Sequence, residues 1–384
     1  MNPQDSGRHR VVEGLAIKAS QPSDEKRSAE IVRLLRRHLV RQDPWGPDDR
    51  LHRAAWTAMR YTEGLDGVQV DGVLEETFDG EGVFDTLVFP VESWSDSLEE
   101  AVSRVASTLR EEFRTTAFNR LGIAAEQMGS GWRVLALVAD RKVEINADTR
   151  LFPVGSAYAL RGLLLEARNE AKVMVLSPDG IVHEVQSWIE GRQMGAEIPM
   201  NQVGQYRVEV IFDKGNGVPE IPAALISINC GPAETENKKE VEIPRFRLQP
   251  NQVSGRSRAG KMTTEIWTRS MDLRKRRGLE LLNWDRNLEK LADIHASYLA
   301  KKRTLAHVDS KGRGPLERVL EKGVSASSVG ENIAAGLSAE GIQSALERSP
   351  SHLQQLLRKD ITRMGIGTAT RDNVVFVVQI MAGP

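Results

Sequence analysis

Few side chains in this sequence can do chemistry. It has one cysteine, Cys230, which excludes an internal disulfide framework and any multi-cysteine metal site. Cys230 ends an apolar run and reads as a small buried residue rather than a reactive thiol. Of the seven histidines, His9 lies in a polar N-terminal arm, and His38 and His52 read as lone surface-helix histidines. None lies between His52 and His183. His295 falls on the apolar face of a helix, where a hydrogen-bonded core imidazole is expected. Of the three histidines after His183, His307 and His352 remain, the latter just after Ser349-Pro350-Ser351. Serines beside a histidine in sequence do not make a nucleophile–base pair, because triad geometry is made in space. No motif places a serine or cysteine nucleophile.

The elements that must position these residues follow from periodicity. Residues 1–27 are polar, lack the apolar core of a signal peptide, and read as a disordered arm. Ile31, Leu34, Leu35 and Leu39 make an apolar helical stripe opposite Arg33, Arg36 and Arg37. Asp48-Asp49 can cap a second helix through Leu51, Ala54, Ala55 and Met59, and a third covers Leu98 to about Phe113. Trp132, Val134, Ala136 and Val138 alternate as a strand does. From Arg141 the period becomes two: Lys142–Ile145, Lys172–Val175, Tyr206–Phe212 and Ala224–Ile228 predict an immunoglobulin-like β-sandwich over 141–243. Tyr206, Val208, Val210 and Phe212 should face inward, with Arg207 and Glu209 outward. Gly231-Pro232, the charged run Glu236–Glu242, Pro244 and Pro250 predict a linker, assigned to 244–261. Breaks near 140 and 245–260 give three domains, and limited proteolysis should cut first before residue 28 and within 232–261.

Charge and hydropathy exclude some partners. Fifty-two basic against 53 acidic residues leave a net charge of −1, so a general nucleic-acid or anionic-membrane binder is not expected. Arg274–Arg277 closes a helix and reads as a solvated face favoured by the helix dipole. Trp45, Trp56 and Trp94 read as core or loop anchors. No apolar run is long enough for a transmembrane helix.

The last segment carries the specific signal. A helix from about Thr263 to Arg277 leads into Asn283-Trp284-Asp285, where Asp285 can cap a helix carrying Leu288, Leu291 and His295. There follow Ala306-His307, Gly330-Glu331-Asn332-Ile333, Ser349-Pro350-Ser351-His352, Gly365-Ile366-Gly367 and a final strand, Val374–Ile380. In this order and spacing, residues 262–384 resemble the CAP superfamily (cysteine-rich secretory, antigen 5 and pathogenesis-related proteins) in its bacterial SCP-like form. The resemblance implies an α+β chain ending in an α-β-α sandwich. It also implies a cleft in which His307, Glu331 and His352 converge. Two imidazoles and a carboxylate would suit zinc or another divalent metal, or, without metal, a proton-transfer site. The match has gaps: Ala306 replaces the family's Ser. Ser351, Leu353 and Gln355 depart from the usual surroundings of the second histidine. The second family glutamate has no secure counterpart, Glu347 being the nearest and Glu340 a poorer one.

Self-comparison adds a decayed second copy at 28–140, implying a degenerate CAP-like α-β-α domain there. Ala29-Glu30-Ile31 aligns with Thr264-Glu265-Ile266, Asp49–Leu51 with Arg286–Leu288, and Arg120–Ile123 with Arg363–Ile366. Two functions follow. The first is a non-catalytic envelope or secreted binding protein, an extended modular body that takes a lipid, sterol or protein ligand. The second is a metal-assisted hydrolase or peptidase in which metal-bound water attacks and a glutamate is the base. The resemblance implies an extracellular, periplasmic or surface location; the residues themselves leave the cytoplasm open.

Overall fold

Twice in this chain an aspartate caps a helix beside the first residues of a sheet. Asp48 accepts the Leu51 N–H at 3.0 Å, and Asp285 accepts those of Asn287 and Leu288 at 2.8 and 3.2 Å. The structure, a computed structural model, describes residues 22–39, 43–61, 74–75, 77–113, 116–147, 151–212, 221–232, 259–371 and 374–384.

The first unit holds α1 (Pro22–His38), β1 (Gly46–Pro47), α2 (Asp49–Tyr61), β2 (Val88–Ser95), α3 (Leu98–Thr108), a π-helical turn (Leu109–Phe113), β3 (Arg120–Met128) and β4 (Gly131–Ala139). Helix α1 begins at Pro22, inside the stretch expected to be an arm; the rest of that expectation, 1–21, lies outside the described residues. The central strands are β5 (Val143–Ile145), β6 (Phe152–Pro153), β7 (Ser156–Leu164), β8 (Ala171–Leu176), β9 (Val182–Val185), β10 (Ser187–Glu190), β11 (Gln193–Met200), β12 (Gly204–Phe212) and β13 (Ala224–Gly231). The last unit holds α4 (Ala259–Arg276), β14 (Asn283–Trp284), α5 (Arg286–Lys302), α6 (Pro315–Glu321), β15 (Val329–Gly336), α7 (Ala339–Arg348), α8 (Pro350–Leu356), β16 (Arg363–Arg371) and β17 (Val374–Ala382). Most of the expected linker lies outside the described residues, and α4 starts at Ala259.

The first and last sheets share one plan. Their orders are β1-β3-β4-β2 and β14-β16-β17-β15, each with a short parallel edge strand and antiparallel pairs elsewhere. Gly46 pairs with Arg120 as Asn283 pairs with Arg363, and Val88 lies opposite Ala139 as Val329 lies opposite Ala382. In both, a glycine lets the capped helix lie on the sheet: a Cβ on Gly122 would sit 2.2 Å from Leu51 backbone, and one on Gly365 2.0 Å from that of Glu289.

Between them, sheets β10-β11-β7-β5 and β6-β13-β12-β8-β9 enclose a second apolar cluster. Tyr206, Val208, Val210 and Phe212 are buried there as expected, but Arg207 and Glu209 are buried as well. Alternation could not show that the other face of β12 is covered by neighbouring units. Arg207 pairs with Asp79 at 3.0 Å, and Glu209 takes hydrogen bonds from the last unit. Nor is the body extended with separate ends. One apolar cluster runs through the first and last units, and Phe89 stacks on Phe376 at 5.8 Å between centroids.

Candidate functional site

The central residue of the site is Glu331. It is on β15, opposite Ile380 of β17, and its side chain is fully shielded from solvent. One carboxylate oxygen lies 2.9 Å from His307 Nδ1, and the other pairs with Arg318. An ionised carboxylate only accepts, so Nδ1 of His307 carries the proton of this contact. Burial alone would raise the Glu331 pKa, but the hydrogen bond from His307 and the charge of Arg318 outweigh it and hold the carboxyl below its usual value.

Arg318 is placed by its short helix. Pro315 stands at the first turn of α6, and the Gly314 N–H donates to Glu317 at 2.8 Å, fixing the helix start. Arg318 also donates to the His307 and Arg313 carbonyls at 2.6 and 3.0 Å. One guanidinium thus ties the loop of His307 to the strand of Glu331. His295 acts from α5: its Nε2 lies 2.8 Å from the carbonyl of Ala306, the residue before His307. Burial lowers its pKa and keeps it neutral.

His352 enters from α8. Asn332, next to Glu331, donates to the His352 carbonyl at 3.1 Å and to Gln379 at 3.2 Å. His352 Nε2 is shielded from solvent and has no hydrogen-bond partner among the described residues. Burial, then the charge of His307, pushes its pKa down to about 3, so it is a neutral imidazole. The start of α8 is held from another unit. Ser349 Oγ donates to Glu209 at 2.5 Å, and the Ser351 N–H donates to the other oxygen at 2.9 Å.

The sequence reading missed Arg318 and Glu209. Arg318 had a weak signal, a basic residue three places after a helix-opening Pro315. Glu209 had none, since a charge in an alternating strand reads as solvent-facing. The two further glutamates lie elsewhere: Glu340 pairs with Arg269 at 2.9 Å, and Glu347 accepts from Gln343 at 3.0 Å.

The metal expectation can be tested on this donor set. Both Glu331 oxygens are engaged, one by a guanidinium whose charge opposes a cation. Among the described residues, no group of three or more His, Cys, Asp or Glu side chains could hold a metal ion. As arranged, His307, Glu331 and His352 do not fit zinc.

The model of the cysteine-rich secretory protein family, CAP, matches residues 271–381, the stretch holding all three site residues. The chain belongs to the CAP family. A protein of Borreliella burgdorferi is 31% identical over 115 residues, 29% of this chain and 74% of that one. The Bacillus subtilis membrane protein YlbC is 31% identical over 179 residues, 44% of this chain and 49% of YlbC, so the chain spans about half of that relative. Among solved structures, an outer surface protein of Borrelia burgdorferi is similar at 26% identity, covering 34% of this chain and 98% of that one with a TM-score of 0.32. An extracellular SCP-domain protein of Bacillus anthracis is similar at 15% identity, covering 62% and 89% with a TM-score of 0.29. Within the matched stretch, His307 pairs with Glu331, and Asn332, the residue after Glu331, donates to the His352 carbonyl.

Proposed function

We propose that this CAP protein is a non-catalytic binding or interaction protein of the bacterial envelope or exterior, with the cleft of His307, Glu331 and His352 taking a lipid, sterol or protein ligand. The observation that carries this reading is the engagement of both Glu331 oxygens by His307 and Arg318. A general base needs a free lone pair and a proton affinity near the working pH. A carboxylate shielded from solvent and held as an anion by an arginine lacks that proton affinity, and each of its oxygens already accepts a hydrogen bond. Membership of a family named for secreted proteins supports a place outside the cytoplasm.

In this reading, 262–384 is the CAP domain, 141–243 an immunoglobulin-like sandwich and 28–140 a CAP-like copy that kept its packing and lost its site. Matching strand order and register support the copy, as does Pro90, which lies opposite Leu137 at the position Glu331 holds opposite Ile380. Two sheets around one apolar cluster support the sandwich.

Metal analysis tests the reading. Protein loaded with excess zinc and dialysed should retain no stoichiometric metal, either as the parent or as His352→Ala. One zinc per chain in the parent, lost in His352→Ala, would overturn it in favour of a metal-assisted hydrolase.

A further inference from the structure

An open groove of about 780 Å³ lies between α2 and the outer face of the β10-β11-β7-β5 sheet. Its floor follows from register. Arg161, Gly195 and Trp188 form one cross-strand row, and Glu144, Leu163 and Gln193 form the next row on the same face. The alternate residues Tyr158, Leu160, Met194 and Ala196 point into the core.

This face is built around an aromatic ring. Gly195 is buried beneath Trp188: a Cβ there would be 2.6 Å from Trp188 Cζ2. The Arg161 guanidinium sits 5.7 Å from the ring centroid. Even so, Trp188 is 40% exposed and Leu163 is 47% exposed. A sheet face open to water is normally polar, so two large apolar side chains on one groove floor mark a contact surface.

The charges narrow the ligand. Arg50 pairs with Glu144 at 2.6 Å and Arg161 with Glu197 at 2.6 Å. Both cations are already matched by carboxylates, so neither a polyanion nor a polycation is favoured. Planar donors and acceptors stand beside the apolar floor: the exposed amides of Asn146 and Gln193. The groove runs across the sheet from β10 to β5, and its floor is made of side chains on one face of these strands.

From these observations we infer that the groove floored by Trp188 and Leu163 is a binding site for a neutral oligosaccharide. A pyranose has an apolar C–H face that stacks on an indole and equatorial hydroxyls that match amide and paired-charge side chains. The inference does not depend on the reading of the CAP cleft, because no residue is shared between the two sites.

The full chain would be titrated by calorimetry with cellotetraose and N-acetylglucosamine tetramer, with heparin as a polyanion control. The expected result is saturable binding of at least one neutral tetramer, weakened about tenfold by Trp188→Ala. Gln193→Ala, an exposed change, should weaken it by a smaller factor while melting like the parent. Absence of binding by either tetramer at millimolar concentration would overturn the proposal. So would an unchanged affinity in both variants, or heparin binding that depends on Trp188.

Discussion

The first and last units put the same sheet to different uses. In both, an aspartate caps the helix that packs on the sheet, a glycine admits it, and a short parallel strand closes the edge. One register position separates their chemistry. Opposite Ile380 stands Glu331, buried with His307 and Arg318; opposite Leu137 stands Pro90, exposed and without ionisable chemistry. Scaffold and site are therefore separable. The backbone plan tolerates either residue, and at this position only the last unit keeps the polar cluster that a buried charge demands.

The sharpest way to break this comparison is to remove that charge. Glu331→Ala leaves Arg318 buried without its partner and should cost about 3–5 kcal/mol. Pro90→Ala, at the matching position, should change stability by less than about 1 kcal/mol. Urea unfolding of both variants decides it, and equal costs would show that the two positions are not distinguished by buried charge.

A second pair of variants tests what the units share. Gly122→Ala and Gly365→Ala each drive a methyl into the backbone of a capped helix, at 2.2 and 2.0 Å. Each should cost about 1–3 kcal/mol or more, by similar amounts. Thermal melts showing that one is tolerated would mean the helix–sheet approach is not common to both.

The smallest effect is a pH dependence. His352 in the last unit and His52 in the first both have lowered pKa values, each because of burial first. Below pH 6.5 the unfolded chain binds protons that the folded chain refuses, so stability falls as pH drops from 6.5 toward the folded values, about 3 for His352. Above 6.5 these groups contribute no slope. His352→Asn and His52→Asn should each flatten the decline measured by urea unfolding at pH 7.5, 6 and 5, by at most about 1.4 kcal/mol per pH unit. An unchanged slope in either variant would remove that histidine from the acid response.

Much of this was legible in the residues. Asp285 before Leu288 announced a helix start, because a capping side chain acts locally. The alternation in β12 gave its inward face correctly. It failed for Arg207 and Glu209, because the partners that bury them, Asp79 and Ser349, lie far away in sequence. Strand β2 gave no signal of its own, although its Phe89 stacks on Phe376 of the last unit.

The sequence alone determined which side chains could do chemistry: one cysteine, seven histidines and a Gly-Glu-Asn segment in a CAP-like order. It could not determine what Glu331 does, because a carboxylate's role depends on which groups fill its lone pairs. Folding placed Arg318 and His307 on the two oxygens and set Glu209 of the central sheet at the start of the His352 helix. Those contacts join residues 13 to 142 positions apart, and only tertiary packing can enforce them, since local periodicity extends over a few turns or strand residues.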